Sequence, residues 1–152
     1  MPSLAPFFWF DSQAEEAMNF YVSIFPRSKV LNVNRAGDTV MAVEFELQGQ
    51  RIMAMNAGPA FTFNESFSWF VGCETQEEID EYWTKLTADG GEPGRCGWLK
   101  DRFGMSWQVV PNSFGRLMSG GGDPTRSKRV MDAFFQMNKF EIAQLEAAYD
   151  GK

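Results

Sequence analysis

The chain has 152 residues, 44% of them apolar, which is enough for one domain of ordinary size to bury a core without disulfide or metal staples. Fourteen Lys and Arg against 20 Asp and Glu leave a net charge of −6, which repels phosphate backbones and anionic lipid surfaces, so no nucleic acid and no membrane partner is expected. The absence of histidine excludes Ser/His/Asp triads, Cys/His dyads and His-based zinc sites, and leaves carboxylate, lysine, cysteine or tyrosine chemistry open.

In chain order, "MPSLAPFFWFD" has a short apolar run without a cationic start or a small-residue cleavage pattern. No stretch approaches the roughly 20 apolar residues of a membrane span, so a cytoplasmic location is expected. "FFWF" (7–10) reads as an aromatic strand ending at Asp11 and Ser12. Ser12 with Glu15 makes a capping-box pattern, and Ala14, Ala17, Met18 and Tyr21 follow at helical spacing until Pro26 stops the helix. Three strand patterns come next: "SKVLNVNRA", "TVMAVEFEL" beyond the turn at Gly37 and Asp38, and "RIMAMNAG" beyond Gly49.

The same pattern recurs sixty-two residues later. "FSWFVGC" (67–73) reads as a strand, Thr75 with Glu78 repeats the capping box, and Ile79, Tyr82, Trp83 and Leu86 form the apolar stripe of a helix that stops at Gly90. Superposing "DSQAEEAMNFY" on "CETQEEIDEYW" pairs Glu15 with Glu77, Glu16 with Glu78, Phe20 with Tyr82 and Tyr21 with Trp83. "GGEPGRCG", "GWLKD" and "MSWQVVP" then fill the three strand slots, with Asp101 and Gly104 turning the last hairpin. The fold class expected is α+β: two βαβββ modules, about 4–57 and about 65–111, with a helical tail over about 112–152.

In the tail, "SFGRLM" is a short helix, "SGGGD" a linker, and Asp123 before Pro124 an N-cap with proline at the first helical position. Val130, Met131, Phe134 and Phe135 form one apolar stripe, and Ile142, Leu145 and Tyr149 another in "KFEIAQLEAAY". These stripes are expected to cap apolar surface of the body or to enter a dimer interface.

"FWFDSQAEEAMNFYVSIFP", "FNESFSWFVGCETQEEIDEYWTKL" and "CGWLKDRFGMSWQVVP", together with "RVMDAFFQMNKFEIAQLEAA", resemble the PhnB-like branch of the vicinal oxygen chelate superfamily. That superfamily includes glyoxalase I and extradiol dioxygenases, and the branch often carries the label 3-demethylubiquinone-9 3-methyltransferase. The resemblance implies one glyoxalase-like domain over residues 1–152, built of paired βαβββ modules, and usually a homodimer. It also implies four metal-ligand positions, which fall on Pro6, on one of Met53, Ala54 or Met55, on Ser68 and on Gln108. Of these only Gln108 is able to ligate, so no metal site is expected. The methyltransferase label finds no glycine-rich strand-to-helix turn with an acidic residue about 20 positions on, so no nucleoside cofactor is expected either.

A sheet with a helix on its back keeps an open face lined by one parity of residues on each strand. Taking the parity of Pro6 and Ser68, with Gln108 facing inward, gives a cavity of Phe8, Phe10, Ser66, Ser68, Phe70, Ser106 and Gln108, rimmed by Asn56 and Trp98. Such a lining fits a small apolar or aromatic organic ligand held by neutral polar groups. No catalytic residue is assigned: Cys96 has only Arg95 or Lys100 nearby to activate it, and Glu15, Glu16, Glu77 and Glu78 are explained by helix first turns. Cys73 and Cys96 are expected as free thiols. Three readings follow: a metal-free binding protein; an enzyme, either a methyltransferase or a metal-assisted isomerase or lyase; or a protein with a closed cavity that acts through its dimer surface.

Overall fold

Strand β1 (Phe7–Phe10) leads into helix α1 (Ala14–Ile24), and the chain returns through β2 (Lys29–Ala36), β3 (Thr39–Leu47) and β4 (Gln50–Asn56). The computed structural model describes residues Met1–Lys152 as two compact units, Met1–Thr62 and Phe63–Lys152. In the first, the strand order is β1-β4-β3-β2, with β1 parallel to β4 and the other neighbours antiparallel. The 3.6-residue spacing in α1 brings Ala14, Ala17, Met18, Tyr21 and Ile24 to one buried stripe. Tyr21 stacks on Phe45 of β3 with ring centroids 6.4 Å apart, and each such large apolar side chain contributes about 1.5–3 kcal/mol on burial.

The start of α1 differs from the capping box expected of Ser12 and Glu15. Its N-cap is Gln13, with no side-chain cap of its own. The Ala14 N–H instead donates to Oδ1 of Asn56, at the far end of β4, at 2.9 Å, while Glu15 pairs with Arg35 on β2 at 2.6 Å. The cap comes from across the sheet, which no local spacing reveals.

In the second unit, β5 (Ser68–Cys73) precedes α2 (Gln76–Leu86), β6 (Glu92–Pro93), β7 (Trp98–Lys100) and β8 (Ser106–Pro111), in sheet order β5-β8-β7-β6. Here the capping motif forms: the Thr75 side chain accepts the Glu78 N–H, and the Glu78 carboxylate accepts the Glu74 N–H at 2.8 Å. Asp101, only 3% exposed, uses Oδ1 to accept the N–H groups of Phe103 and Met105, and Oδ2 to accept Trp107 Nε1 at 2.8 Å. That carboxylate locks the β7–β8 turn and so the register of β8.

The segment read as a strand over "GGEPGRCG" supplies only the two residues of β6. Cys96 lies in a turn at φ 57° rather than in a strand, and the N–H groups of Cys96 and Gly97 donate to the carbonyls of Met137 and Asn138. The tail competes for this backbone and wins. Its helices α3 (Phe114–Ser119), α4 (Pro124–Phe134) and α5 (Ile142–Asp150) belong to the second unit. Gln76, in the first turn of α2, donates to the Phe140 carbonyl and accepts the Ile142 N–H, and Lys139 pairs with Asp80 at 2.7 Å. Gly97, at φ 83°, has no room for a side chain, since a Cβ there would lie 2.4 Å from the Phe140 ring. No helix is long and apolar enough to cross a membrane.

Candidate functional site

Cross-strand partners share a face of a sheet, so the register sorts every strand residue. In the first sheet Phe45 stacks on α1, and its line of partners carries Ile52, Val43, Ala54, Phe8 and Phe10 on the same helix-covered side. The open side holds Phe7 and Trp9 of β1 with Met53 and Met55 of β4. In the second sheet Leu99, Trp107, Trp69 and Val109 lie on the side of α2, which leaves Ser68, Phe70, Trp98, Lys100, Ser106 and Gln108 on the open side.

The expectation that Phe8 and Phe10 line the cavity is therefore corrected. They are 5% and 4% exposed, in the core beneath α1. The cause is a one-residue difference between the repeats. The helices are offset by sixty-two residues, but three residues, 11–13, join strand to helix in the first unit and only Glu74 and Thr75 do so in the second. Phe10 pairs with Asn56 at the end of β4, and Cys73 with Pro111 at the end of β8, so the strands are offset by sixty-three. A slip of one residue exchanges the two faces of a strand. Aligning strands and helices separately would have found Phe7 and Trp9; on this register Met53 is the counterpart of Gln108.

Asn56 is also corrected: its carbonyl oxygen accepts the Ala14 N–H and its Nδ2 donates to the Val40 carbonyl, so the side chain serves the start of α1. Ser66 lies before β5, where its backbone N–H and hydroxyl both donate to Asn64 Oδ1. The remaining residues do come together. Gln108 Nε2 donates to Ser68 Oγ at 3.0 Å, and the register sets Trp98, Gln108 and Phe70 in one cross-strand row and Lys100, Ser106 and Ser68 in the next. Phe70 is 63% exposed, a large apolar ring held out on the open face.

Beside this row lies a cavity of about 160 Å³, whose walls include Glu65, Glu92, Trp98, Lys100 and Ser106. Lys100 pairs with Glu65, and each stabilises the other's charge: the Glu65 carboxyl is held below its ordinary range by its hydrogen bond from Lys100, and the Lys100 ammonium is raised by Glu65. No local pattern marks Glu65 or Glu92 in the sequence: the first lies between Asn64 and Ser66, the second between Gly91 and Pro93. Neither thiol makes a nucleophile with a partner: Cys73 is fully buried, which pushes it up to about 11 with a smaller contribution from Glu78, and the Cys96 thiol faces the Phe134 carbonyl at 3.6 Å. Both cysteines are free.

The ligand positions implied by the superfamily do not suit a divalent metal. Met53 and Met55 offer thioethers, Ala54 points into the helix layer, and Gln108 and Ser68 already bond each other. No three His, Cys, Asp or Glu side chains come together at any point of the chain. The strand-to-helix turns hold no glycine, and Gly120–Gly122 follow α3 rather than a strand.

Residues 2–110 match the family described as 3-demethylubiquinone-9 3-methyltransferase, and the match stops within β8, short of the helical tail. A PhnB protein of Bacillus cereus that carries the same methyltransferase label is 35% identical, with a TM-score of 0.65 over 72% of this chain and 99% of its own. A Pseudomonas aeruginosa protein is 18% identical, with a TM-score of 0.60 over 73% of this chain and 98% of its own. The fosfomycin resistance protein FosX of Listeria monocytogenes, solved with Mn(II) and sulfate, is 17% identical, with a TM-score of 0.54 over 72% and 91% of the two chains. The last two show the fold alone. A search of curated proteins finds no match. With two βαβββ units in its fold and a family match that reaches from the first into the last strand of the second, this chain belongs to the 3-demethylubiquinone-9 3-methyltransferase family, the PhnB-like branch of the vicinal oxygen chelate superfamily.

Proposed function

We propose that the chain is a metal-free binding protein for a small, largely apolar organic molecule, received on the open face of its second sheet. The observation that carries this reading is the row Trp98–Gln108–Phe70, in which an amide anchored to Ser68 stands between two aromatic side chains, one of them largely exposed. Aromatic walls supply area and a fixed amide supplies orientation, the usual division of labour in a small-molecule site. The metal-free part rests on donor chemistry, since thioethers and a single amide do not make an oxygen shell for a hard cation. Methyl transfer, which the family label names, is not favoured, because no glycine-bearing strand-to-helix turn offers backbone N–H groups to a nucleotide-like cofactor. We expect the protein to act in the cytoplasm as a homodimer.

Titration calorimetry of the full chain with toluene, benzyl alcohol and S-adenosylmethionine, alongside elemental analysis, tests the reading. Binding of an aromatic probe that Gln108→Leu and Phe70→Ser each weaken by about tenfold supports it. Stoichiometric divalent metal in the purified protein, or S-adenosylmethionine binding below millimolar, overturns it.

A further inference from the structure

The cavity beside the proposed binding face holds two groups that its own structure leaves unused. Ser106 is 1% exposed, and its hydroxyl has no hydrogen-bond partner. Buried hydroxyls are nearly always paired, because stripping water from one costs about 1–3 kcal/mol. Alternation along β8 directs this hydroxyl to the open side, opposite Met105 and Trp107, and the residue lines the cavity. The second unused group is the carboxylate of Glu92. It makes no ion pair or hydrogen bond, and its cross-strand neighbour Lys100 feels it only through space, as the weakest of the influences on that ammonium. Lys100, which separates Glu92 from Ser106 across the sheet, is already neutralised by Glu65. The walls thus carry two carboxylates and one ammonium, a surplus of one negative charge, with Trp98 as the aromatic side.

Resting on the reading of this face as a ligand site, we infer that the cavity takes the ammonium group of a small organic amine, whose apolar body lies along Trp98 and Phe70. A protonated primary amine has N–H donors and no acceptor, the complement of an unfilled hydroxyl oxygen and an unpaired carboxylate. It cancels the surplus charge, and the π-face of Trp98 attracts a cation in the same place. A carboxylate or phosphate ligand would add a second uncompensated negative charge beside Glu65 and Glu92, and a neutral alcohol would satisfy Ser106 but leave Glu92 as it is. The volume, about 160 Å³, matches that of a cavity able to hold a single benzene-sized group, room for an ammonium head group and the first carbons of the body that carries it.

The test is titration of the full-length protein with benzylammonium, its near-isosteric neutral counterpart benzyl alcohol, and benzoate, at low and at 0.5 M salt. The expected result is benzylammonium binding about tenfold tighter than benzyl alcohol, benzoate weakest, and the preference shrinking in high salt. Glu92→Gln should remove most of the preference for the amine while leaving benzyl alcohol binding within about twofold, and Ser106→Ala should weaken both ligands, the amine by more than the alcohol, so that the preference shrinks. Because Ser106→Ala deletes an unsatisfied hydroxyl, the ligand-free Tm should hold or rise, which separates a binding role from a structural one. Equal or tighter binding of benzyl alcohol, or an amine preference that survives both substitutions, overturns the inference while the proposed function stands. If none of the three probes binds, the proposed function falls and this inference with it.

Discussion

Asn56→Ala distinguishes a residue of the binding face from one that builds the fold. The wild-type side chain fills the missing cap of α1 by accepting the Ala14 N–H at 2.9 Å, and it donates to the Val40 carbonyl at 3.2 Å. Ala14 is fully buried, so truncation strands a donor that water does not reach, at about 1–3 kcal/mol. The Val40 bond is longer and its carbonyl less enclosed, and its loss adds about 0.5 kcal/mol. The total of about 1.5–3.5 kcal/mol corresponds to a fall in Tm of about 3–14 °C for a chain of this size. Asn56→Asp keeps the acceptor and places negative charge at a helix N-terminus, so it should cost less than about 1 kcal/mol despite losing the donor. Urea and thermal unfolding of the three proteins, with probe binding measured on each, decides the matter. An Asn56→Ala variant within 0.5 kcal/mol of wild type, or one that keeps its Tm but loses the ligand, would refute the assignment of Asn56 to the fold.

Iodoacetamide at pH 8 should modify Cys96 in the native protein and spare Cys73, which is buried and raised to about 11, with both modified in urea; mass spectrometry that finds native labelling at Cys73 would contradict this. The same thiol sets a pH dependence: its value is raised on folding from 9.0, so the folded state keeps a proton that the unfolded state releases, and stability should fall as pH rises from 9.0 toward about 11. Cys73→Ala should remove part of that slope. Gly97→Ala places a methyl group at φ 83° against the Phe140 ring and should cost about 2–5 kcal/mol, with faster proteolytic cleavage between β8 and α4 than in wild type. Asp101→Asn puts one N–H₂ where two N–H groups and an indole N–H already converge, and about 1.5–3 kcal/mol should be lost in urea unfolding. A loss below 0.5 kcal/mol would mean that the turn holds without the carboxylate.

The sequence by itself determined the α+β class, the duplicated strand-and-helix unit, the element order in the tail and the family, because apolar period, capping residues and turn residues are local and act over a few positions. It also brought Ser68, Phe70, Trp98, Ser106 and Gln108 correctly to one sheet, since the duplicate strands are consecutive enough for parity to be read along each. Which face those parities occupy was decided only in three dimensions. One extra residue between β1 and α1 turns Phe8 and Phe10 into core and brings Phe7 and Trp9 to the open side, a consequence of the two-residue period of a strand that a repeat aligned on its helices conceals. Tertiary structure alone likewise gave α1 its cap from Asn56, took Cys96 and Gly97 out of the sheet to hold the tail, and brought Glu65 to Lys100. Each of these contacts joins positions far apart in the chain or across a turn, where charge and hydrogen-bond partners are chosen by packing and not by spacing.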